Sequence, residues 1–590
     1  MNNPSRIEPP LLVFPDQAGG FFVFSEPVAV FAGGELAEAE AEAKARDGWL
    51  AGGLQYGRAG APVPGWWGVF LAPQPATRAD LEALADPSPV VVGGLHSPVS
   101  FADYASAFER VHSALEAGLT YQVNLTFPVE GTAASGQPWS WRSALRLWLD
   151  LVAAQGREGS FAVLGTASSP GTVLVSASPE LFFRREGATV EARPMKGTAP
   201  RHPDPARDAA HRHELSVSAK NRAENLMVTD MLRNDLGRLA LAGGVSVPRL
   251  FEVEEYPTVW QLTSTVRAQV PEDLSLTDLV AALFPCASIT GAPKVSTQAI
   301  IDAVEAHPRG WYTGTLGWHR PASWQAGPAR SRFSVLIRTL VFEAAPGNFR
   351  LGVGGGVVWD STPQGEWEEA WAKTRFLAPA ERRFSLTEAV LWEPDAGLFL
   401  PAEHEARLTA ACRDFGGSLE PGALTAGLEA EVLRLRSSGL PGPFKLRALV
   451  DPDSRLTVEG EAVSPLPEVL TAALAPRAFG PETLLWRRYK TTDRRVYEDH
   501  RVEGVDQTVH FNEKDELTES TSMTLVLEVG GRFLTPALSC GLLDGTYRAR
   551  LIAEGTLTEA VLPVEALATS DRAWLVNSVR RWKAVRIVSA

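Results

Sequence analysis

The sequence predicts an α+β protein with at least two domains, and three features support that fold class. The chain has 590 residues, which is more than a single hydrophobic core usually holds. Short apolar runs separated by glycine and proline predict that residues 1–100 form mostly strands. Long helical patterns interrupt the later strands at irregular intervals. A doubly wound sheet would alternate strands and helices regularly, so we expect large antiparallel sheets with added helices.

Three segments carry helical patterns. Residues 34–50 are rich in charge and predict a helix with a solvated face. Residues 101–118 place apolar side chains at helical spacing, and Gly118 is suited to end that helix. A further long helix is predicted over residues 215–243, ending at Gly243. Strands are predicted between and after these helices, at residues 120–129, 171–185, 188–197, 310–320, 332–344 and 349–359.

A change in composition marks the expected domain boundary. Residues 376–386 turn polar around a proline, and a new pattern of strands and helices begins after them. We therefore expect a first domain at residues 1–377, a linker at 378–385 and a second domain at 386–590 with its own core.

Composition restricts the classes of partner and compartment. The net charge of −14 and the pI near 5.4 argue against nucleic acid or an anionic membrane as the main partner. Cys286, Cys412 and Cys540 form neither a disulfide framework nor a metal-binding spacing, which suits a reducing compartment. The first residues lack a signal-peptide pattern, and no apolar stretch is long enough to span a bilayer. We expect a cytoplasmic protein.

Lys196 is the first candidate for chemistry. It lies between Pro194, whose φ is fixed, and Gly197, which permits unusual backbone angles. A lysine displayed in this way is commonly a solvated surface charge. With a lowered pKa it could instead act as a nucleophile, and the local sequence leaves both interpretations open.

Arg338 is the second candidate. The strand predicted over residues 332–344 places it between Leu336 and Leu340 on one face. A guanidinium in that position must find an anion, because burying an unpaired charge is costly. The anion could be an acidic side chain of the protein or a ligand.

A third group follows in the chain. The glycines at residues 354–356 would let a ligand approach backbone N–H groups. Downstream, Glu366, Glu369 and Lys373 share one helical face. They could form a surface ion pair or, together with Glu224, supply oxygen ligands for a magnesium ion.

Seven segments of residues 100–377 form an ordered set: "SPELFFRR", "RPMKGTAPR", "KNRAENLMVTDMLRNDLGRLA", "FPCASITGAPK", "WYTGTLGW", "FSVLIRTLVF" and "GGGVVWDSTPQGEWEEAWAK". In this order and spacing they resemble the chorismate-utilising enzymes. That family includes anthranilate synthase component I, aminodeoxychorismate synthase component I, and the isochorismate and salicylate synthases. The resemblance implies a chorismate-binding fold of large antiparallel sheets with helices.

The resemblance also implies a reaction. Enzymes of the family that add water to the ring carry a lysine base where this chain has Gln122, which disfavours that reaction. Anthranilate synthases usually have alanine where Lys196 stands, whereas a lysine there resembles aminodeoxychorismate synthase. Its amine would attack C2 of chorismate and expel the C4 hydroxyl, and ammonia would then attack C4 and displace the enzyme.

Other roles carry over from the resemblance. Glu180 would be the general acid for the departing hydroxyl. Glu224 and Glu369 would bind magnesium, with Glu366 in support. The substrate-binding group implied by the resemblance consists of Arg338, Tyr312, Lys373, Gln122, Thr198, Gly355 and Gly356.

The nitrogen donor is not evident in the chain. A glutamine amidotransferase needs a nucleophilic cysteine in a tight turn with a histidine partner, and none of the three cysteines lies in such a motif. We therefore expect a separate glutamine amidotransferase subunit; without it, only free ammonia would serve.

The second domain carries "RRYKTTDRRVYEDHR", "FNEKDELTESTSMTLVLE" and "FLTPALSCGLLDGTYRARLIAEG". Together, over residues 385–588, they resemble the fold-type IV pyridoxal 5'-phosphate enzymes, an α/β fold of two subdomains. The family contains branched-chain and D-amino acid transaminases and aminodeoxychorismate lyase.

The second resemblance implies a cofactor site. Lys490 would bind the cofactor and carry the substrate proton, and Glu519 would pair with the pyridine nitrogen. The phosphate would lie near Arg407 and near Gly545 and Thr546, at the start of a helix. The residues of that site are thus Lys490, Glu519, Arg407, Gly545 and Thr546. Thr524 stands where family members commonly have asparagine, so one local contact departs from the family pattern.

The neighbouring domain favours the lyase reaction. Aminodeoxychorismate must lose pyruvate to become 4-aminobenzoate, and a fusion would join consecutive enzymes. Two alternatives stay open: anthranilate synthase component I fused to a class IV aminotransferase, or a synthase whose second domain is a non-catalytic docking module. A homodimer through the second domain is also expected, because fold-type IV enzymes are usually dimers.

Overall fold

A computed structural model describes residues 9–588, except 17–18, 59–62, 136–137, 156–158, 165–170, 203, 257–258, 324–326, 344–346, 381–383 and 481–482. Two compact units are present. The first consists of residues 1–85, 95–131 and 140–380, and the second of residues 86–94, 132–139 and 381–590. Two short segments early in the chain thus belong to the second unit. Residues 381–383 of the predicted linker lie outside the described residues.

The strands before residue 381 are β1 (Leu11–Pro15), β2 (Phe21–Ser25), β3 (Ala29–Ala32), β4 (Trp49–Tyr56), β5 (Gly65–Phe70), β6 (Gln74–Ala76), β7 (Val91–His96), β8 (Gln122–Ala134), β9 (Ser160–Val163), β10 (Val173–Ser176), β11 (Leu181–Glu186), β12 (Thr189–Arg193), β13 (Met195–Pro200), β14 (Val245–Glu255), β15 (Val259–Gln269), β16 (Gly291–Ala292), β17 (Gly310–Arg320), β18 (Arg330–Val335), β19 (Thr339–Phe342) and β20 (Asn348–Val357). The helices are α1 (Leu36–Ala45), α2 (Arg78–Leu84), α3 (Phe101–Glu116), α4 (Trp141–Gln155), α5 (Pro205–Val217), α6 (Ala219–Gly237), α7 (Leu276–Leu283), α8 (Lys294–Val304) and α9 (Pro363–Ala372), followed by a 3-10 segment at Lys373–Ala380.

These strands form two ten-stranded sheets in the described part of the chain. The first has the order β16-β8-β20-β19-β10-β9-β1-β2-β6, with β7 beside β8. The second has the order β13-β15-β12-β11-β18-β17-β4-β5-β3, with β14 beside β15. Strand pairs in both run antiparallel, as in β1–β2 and β17–β4. The α+β class predicted from the sequence is confirmed.

The core of the first unit lies between these sheets. Phe24 of the first sheet packs on Trp49 of the second, with ring centroids 5.9 Å apart, and Trp49 packs on Trp318 at 5.2 Å. All three side chains are buried. Aromatic burial of this kind is a large apolar contribution to stability, and it joins the two sheets face to face.

The sequence predicted several of these elements correctly. Helix α3 ends at Glu116, and Gly118 follows with a φ of 69°, a left-handed angle that suits glycine.

The helix predicted over residues 215–243 is instead the end of α5 followed by α6. Ser218 separates the two and caps α6 by accepting a hydrogen bond from the Asn221 N–H at 3.3 Å. The chain leaves α6 after Gly237, so the predicted end at Gly243 is wrong.

Two predicted strands are each divided between the sheets. Residues 171–185 give β10 in the first sheet and β11 in the second, and residues 332–344 give β18 in the second and β19 in the first. Arg338 therefore lies between strands, with a φ of 48°. The prediction that it alternates with Leu336 and Leu340 on one strand is wrong, because hydrophobic alternation does not reveal where a chain crosses between sheets.

The strands after residue 383 are β21 (Leu386–Glu393), β22 (Gly397–Leu398), β23 (Phe444–Val450), β24 (Leu456–Ala462), β25 (Val469–Leu474), β26 (Gln507–Phe511), β27 (Leu517–Ser520), β28 (Thr524–Val529), β29 (Arg532–Pro536), β30 (Thr558–Ala560), β31 (Arg572–Asn577) and β32 (Arg581–Ile587). The helices are α10 (Pro401–Asp414), α11 (Ala423–Ser437), α12 (Leu484–Arg488), α13 (Arg495–Glu498), α14 (Thr546–Ala553) and α15 (Ala566–Thr569).

The second unit contains two sheets with separate cores. A four-stranded sheet has the order β22-β21-β23-β24, and an eight-stranded sheet has the order β27-β26-β25-β32-β31-β28-β29-β30. The larger sheet is mixed, because β25 pairs parallel with both β26 and β32. The core beside the smaller sheet includes Val91 and Ala134 from the two early segments of this unit.

No helix among the described residues is long and apolar enough to cross a membrane.

Candidate active sites

Lys196 lies on β13, and its backbone is held on both sides. The side chain of Asn225 on α6 donates to the Lys196 carbonyl at 3.4 Å. The side chain of Gln261 on β15 donates to the Gly197 carbonyl at 2.7 Å. Gly197 has a φ of 91°, and a Cβ there would lie 3.0 Å from Asn221. The glycine is thus required by both conformation and space, as the sequence indicated.

The surroundings of the Lys196 amine lower its pKa. Burial is the largest influence and disfavours the charged form, and the nearby charge of Lys373 acts in the same direction. The carboxylates of Glu224, Glu180 and Glu369 oppose this shift without cancelling it. The amine is therefore neutral more often than that of an ordinary lysine, as a nucleophile requires.

Glu180 lies in the turn between β10 and β11 and is 5% exposed. Burial raises its pKa to about 7, against a hydrogen bond from Ser288 and the charge of Lys196. Its backbone N–H donates to the Ser178 hydroxyl at 3.2 Å, which fixes the turn. The pKa suits a general acid near neutral pH, as the sequence resemblance implied.

Gln122 and Gly356 lie beside the Lys196 amine. A Cβ at Gly356 would overlap the Gln122 side-chain nitrogen and would lie 3.5 Å from Lys196 Nζ. Gln122 is buried at the start of β8, where β8 pairs with the short strand β16. The structure thus brings Lys196, Gln122 and Gly356 together, and the glycine leaves room for the other two side chains.

Helix α9 brings its charged groups to the neighbouring glycine. A Cβ at Gly355 would lie 2.6 Å from Glu366 Oε2 and 3.7 Å from Lys373 Nζ. Lys373 donates to the Gly354 carbonyl at 2.5 Å and pairs with Glu369 at 3.1 Å. Glu366 is buried, and burial raises its pKa. The predicted ion pair is therefore present beside the glycines, and the same carboxylates stay available as the predicted magnesium ligands.

The carboxylates proposed for magnesium come from two helices. Glu224 lies on α6, and Glu366 and Glu369 lie on α9. Within the described residues, no group of three His, Cys, Asp or Glu side chains is gathered in a form that could hold a metal ion. Glu224 and Glu369 both act on the Lys196 amine, so they border the same space. Because Mg²⁺ commonly uses one or two carboxylates plus waters, these two side chains fit it in chemistry.

Three further candidate residues of the first unit are Arg338, Tyr312 and Thr198. Arg338 donates from Nη1 to the Gln155 side-chain oxygen at 3.1 Å, and burial lowers its pKa. Tyr312 is buried, and burial raises its pKa. Thr198 is exposed and its hydroxyl donates to Gln261 at 2.9 Å, which places it in support of the Gly197 turn.

Two features of this site were not assigned from the sequence. Ser288 hydrogen-bonds Glu180 and lies in the "FPCASITGAPK" segment, whose position in the family pattern was the only signal. Arg309 forms a fully buried pair with Glu305 at 2.8 Å and also donates to the Ile289 carbonyl. Nothing in the local sequence distinguishes this pair from one on a helix surface.

The second unit contains a cavity of 710 Å³. It is lined by Leu386, Thr387, Glu388, Arg407, Leu408, Ala410, Ala411, Asp414, Leu484, Arg487, Arg488, Tyr489, Lys490, Asn512, Glu513, Lys514, Leu538, Ser539, Cys540, Gly541, Leu542, Leu543 and Asp544. Lys490 and Arg407 of the predicted cofactor site are among these residues. A cavity of this size is typical of sites for small molecules and cofactors.

Glu388 on β21 is the centre of the charges in this cavity. The Arg407 guanidinium donates through Nε and Nη2 to its two oxygens, each at 2.7 Å, and His404 Nδ1 donates at 2.7 Å. Lys490 Nζ lies 4.0 Å from Glu388 Oε2. Although burial acts to raise it, the charge of Arg407 and the bond from His404 hold the pKa of Glu388 well below its ordinary value. Sequence reasoning missed both Glu388 and His404.

The surroundings of the Lys490 amine lower its pKa. Burial is the main cause that lowers its pKa to about 8, with Arg407, Arg494 and Lys445 adding to the shift. Glu388 opposes them. A substantial fraction of the amine is therefore neutral just above physiological pH.

Glu519 and the start of α14 lie outside the cavity lining. Glu519 is buried, accepts from the Tyr497 hydroxyl at 2.7 Å and accepts from the N–H of Leu543, which does line the cavity. Burial raises the pKa of Glu519. Thr546 on α14 shares a hydrogen bond of 3.3 Å with His404 Nε2 instead of pointing to open space. A Cβ at Gly545 would lie 3.1 Å from the Thr524 hydroxyl.

Sequence comparison matches two consecutive parts of the chain to families. Residues 73–379 match the sequence model of the family described as chorismate binding enzyme. The chain belongs to the chorismate-binding enzymes. Residues 385–588 match the family described as amino-transferase class IV. The chorismate-binding domain is therefore joined to a class IV aminotransferase domain in one chain, as the motifs indicated.

Two curated relatives resemble the chorismate-binding domain. Aminodeoxychorismate synthase component 1 of Escherichia coli (strain K12) is 39% identical over 280 residues, covering 47% of this chain and 58% of that protein. Anthranilate synthase component 1 of Streptomyces coelicolor is 40% identical over 213 residues, covering 36% of this chain and 40% of that protein. The chain thus matches little more than half the length of the first relative and less of the second.

A solved structure supports the fold of the chorismate-binding domain. The menaquinone-specific isochorismate synthase of Escherichia coli superposes with a TM-score of 0.52 at 17% identity, covering 64% of this chain and 90% of that chain. At this identity the likeness concerns the fold alone.

Proposed function

We propose that this chain makes 4-aminobenzoate from chorismate in two consecutive reactions. The chorismate-binding domain would replace the C4 hydroxyl with an amine, and the class IV domain would then eliminate pyruvate. One observation carries the first half of the proposal: a lysine amine with a lowered pKa lies near a buried carboxyl whose pKa is raised to about 7. These opposite shifts suit a nucleophile and a general acid working together.

The first substitution uses Lys196 and Glu180. The neutral amine forms a bond to C2 of the ring, the two ring double bonds shift toward C4, and the C4–oxygen bond breaks. Glu180 gives its proton to the departing oxygen, which leaves as water. The lysine is thereby bonded to C2 as a cationic secondary amine and keeps both of its protons, so it can later leave as a neutral amine.

The second substitution restores the enzyme. Ammonia attacks C4, the double bonds shift back, and the C2–nitrogen bond breaks, so Lys196 regains its free amine. The proton lost by the incoming nitrogen returns to Glu180. The sum is chorismate plus ammonia giving aminodeoxychorismate plus water. Gln122, beside the Lys196 amine, cannot remove a proton from water, which agrees with substitution by nitrogen.

Other side chains of this domain would hold the dianionic substrate. Arg338, whose guanidinium donates to the neutral side chain of Gln155, and Lys373 would bind carboxylates, with Tyr312 beside them. Magnesium, held by Glu224 and Glu369 with Glu366 in support, would neutralise a ring carboxylate and draw electron density from the ring.

The class IV domain has residues that fit pyridoxal 5'-phosphate. Lys490 supplies the amine that binds it, Arg407 a cation for its phosphate, and Glu519 a carboxylate near its pyridine nitrogen. When bound, the cofactor supplies an electron-withdrawing ring that stabilises negative charge on the adjacent substrate carbon. Lys490 Nζ would accept the proton from C4 of aminodeoxychorismate and pass it to the departing enolpyruvyl group, which leaves C3 as pyruvate while the ring becomes aromatic.

Two partners complete the proposal. Ammonia would come from a separate glutamine amidotransferase subunit, because no cysteine of this chain lies in a glutaminase motif. The class IV domain would form a homodimer, as is usual for fold-type IV enzymes.

A direct assay tests both halves. Purified protein with chorismate, ammonium, magnesium and pyridoxal phosphate should form 4-aminobenzoate and pyruvate in equal amounts. Chorismate consumption without pyruvate would confine the proposal to the first domain. Matched assays with glutamine in place of ammonium should give no product until a glutaminase subunit is added.

A second candidate is anthranilate synthase component I fused to a class IV aminotransferase. The identity of 40% to the anthranilate synthase component of Streptomyces coelicolor favours it. Formation of 2-aminobenzoate by the wild type, unaffected by Lys196→Ala, would support this candidate and overturn the first.

A third candidate treats the second domain as a docking module without catalysis. It predicts that purified protein stays colourless after incubation with pyridoxal phosphate. Visible absorbance that is lost in Lys490→Ala would exclude it.

A further inference from the structure

The class IV domain contains a buried carboxylate to which the proposed reaction gives no role. Glu388 is 1% exposed and borders the 710 Å³ cavity, yet it is not one of the side chains that would bind the cofactor. Burying an ionised carboxylate is costly unless it is paired and hydrogen-bonded, so the side chains that pair with Glu388 indicate what it does.

The three partners of Glu388 lie at unequal distances from its carboxylate. Arg407 makes a bidentate contact at 2.7 Å on both oxygens, and His404 adds a third bond at 2.7 Å. Lys490 stays at 4.0 Å, too far for a hydrogen bond. The carboxylate therefore fixes the arginine while it attracts the lysine without engaging the amine.

His404 extends this arrangement to α14. Since a carboxylate only accepts, the Nδ1 of His404 donates to Glu388, and its Nε2 accepts from the Thr546 hydroxyl at 3.3 Å. Burial lowers the pKa of His404, which keeps the ring neutral in this tautomer. Glu388 is thus connected to the start of the helix that follows the cavity-lining residues 541–544.

We propose that Glu388 is a positioning residue: it orients Arg407 at the cavity wall and holds the Lys490 amine near the cavity without bonding it. The cofactor's identity rests on the proposed function, but the geometry of these side chains does not. Lys490 faces Arg407, Arg494 and Lys445 as positive groups and Glu388 as the negative group. Removing the carboxylate takes away the acidic group that offsets these cations at the amine.

Competitive acetylation tests this role in the full chain without cofactor. Trace acetic anhydride labels neutral amines, and mass spectrometry of the Lys490 peptide over a pH series gives the midpoint of its titration. In Glu388→Gln the midpoint should fall by about one pH unit or more, because an opposite charge near the amine is lost. In Glu388→Asp, which keeps the charge, it should return most of the way. In Arg407→Met it should rise above the wild-type value.

A matched control is available in the same unit. Glu431 is also buried and makes a bidentate contact with an arginine, Arg434, but neither lines the 710 Å³ cavity. Glu431→Gln should leave the Lys490 midpoint unchanged. Circular dichroism melts on every variant establish that the labelled protein is folded.

Two results would overturn the proposal: a Glu388→Gln midpoint equal to wild type, or an equal shift in Glu431→Gln. If Glu388→Gln does not fold, Arg407→Met decides, and a midpoint that fails to rise rejects the role of Glu388. Failure of the wild type to bind pyridoxal phosphate would count against the proposed function and would leave the acetylation result unaffected.

Discussion

The two units each contain a half-buried lysine whose pKa is lowered mainly by burial, but their carboxylates differ. Near Lys196, burial raises the pKa of Glu180 to about 7, and among the described residues no arginine pairs with its carboxyl group. Near Lys490, Glu388 is clamped by Arg407 and His404, and its pKa falls. The first carboxyl can give a proton, whereas the second is a fixed anion. In our proposals, a pairing of lysine and glutamate would serve chemistry in one unit and positioning in the other.

The largest expected effect separates the two lysines. Lys196→Ala should reduce formation of aminodeoxychorismate by about 1,000-fold or more, because a covalent nucleophile is removed. Lys490→Ala should leave that step intact and let aminodeoxychorismate accumulate without pyruvate. Both are measured by chromatography of the reaction mixture. Equal loss of chorismate turnover in both variants would contradict the proposal that the two lysines serve different reactions.

Glu180→Gln should lower the rate of the first reaction by about 100-fold to 10,000-fold, the usual contribution of a general acid. In the wild type the group must be protonated, so the rate should fall as pH rises through about 7. Stopped assays at saturating chorismate, repeated over a series of pH values, measure this fall in rate at alkaline pH. A Glu180→Gln variant that keeps the same alkaline limb would assign it to another group.

Gly356→Ala tests the claim that this glycine leaves room for the Gln122 side chain and the Lys196 amine. A methyl group there would overlap the Gln122 side chain beside Lys196, so we expect a loss of about 10-fold or more in kcat/KM with little loss of folded protein. Gly34→Ala is the control, since a Cβ at Gly34 meets nothing within 4 Å. Equal effects of the two substitutions would contradict the packing argument.

Thr198→Val should have the smallest effect. The hydroxyl is exposed and bonded to Gln261, so its loss removes about 1 kcal/mol at most and changes KM by less than about fivefold. Steady-state kinetics with chorismate measure it. A tenfold rise in KM with unchanged kcat would mean that Thr198 contacts the substrate.

The sequence predicted the α+β class and many individual elements because these depend on local patterns. Helix α3 and its terminating Gly118 follow from apolar spacing and from the conformational freedom of glycine. Arg338 was misplaced because a crossing between two sheets keeps the apolar alternation of a single strand. Periodicity reports which residues are buried and not which sheet they join.

Motif order made Lys196, Glu180 and Gln122 candidates, and the structure places Glu180 and Gln122 near the Lys196 amine. It did not identify Glu388, whose strand shows only one acidic residue among apolar ones and a second, Glu393, at its end. Its importance depends on His404 and Arg407, which lie together on α10, and on Lys490, which comes from a later part of the chain. Interactions of this range cannot be read from local sequence.

The most direct test of the account is the mass of the Lys196 peptide during turnover. Wild-type protein is mixed with chorismate and magnesium without ammonium, quenched rapidly and digested. The account predicts that the peptide containing Lys196 gains the mass of chorismate less water, and that added ammonium removes it. An unmodified peptide, together with full formation of aminodeoxychorismate by Lys196→Ala, would contradict the account.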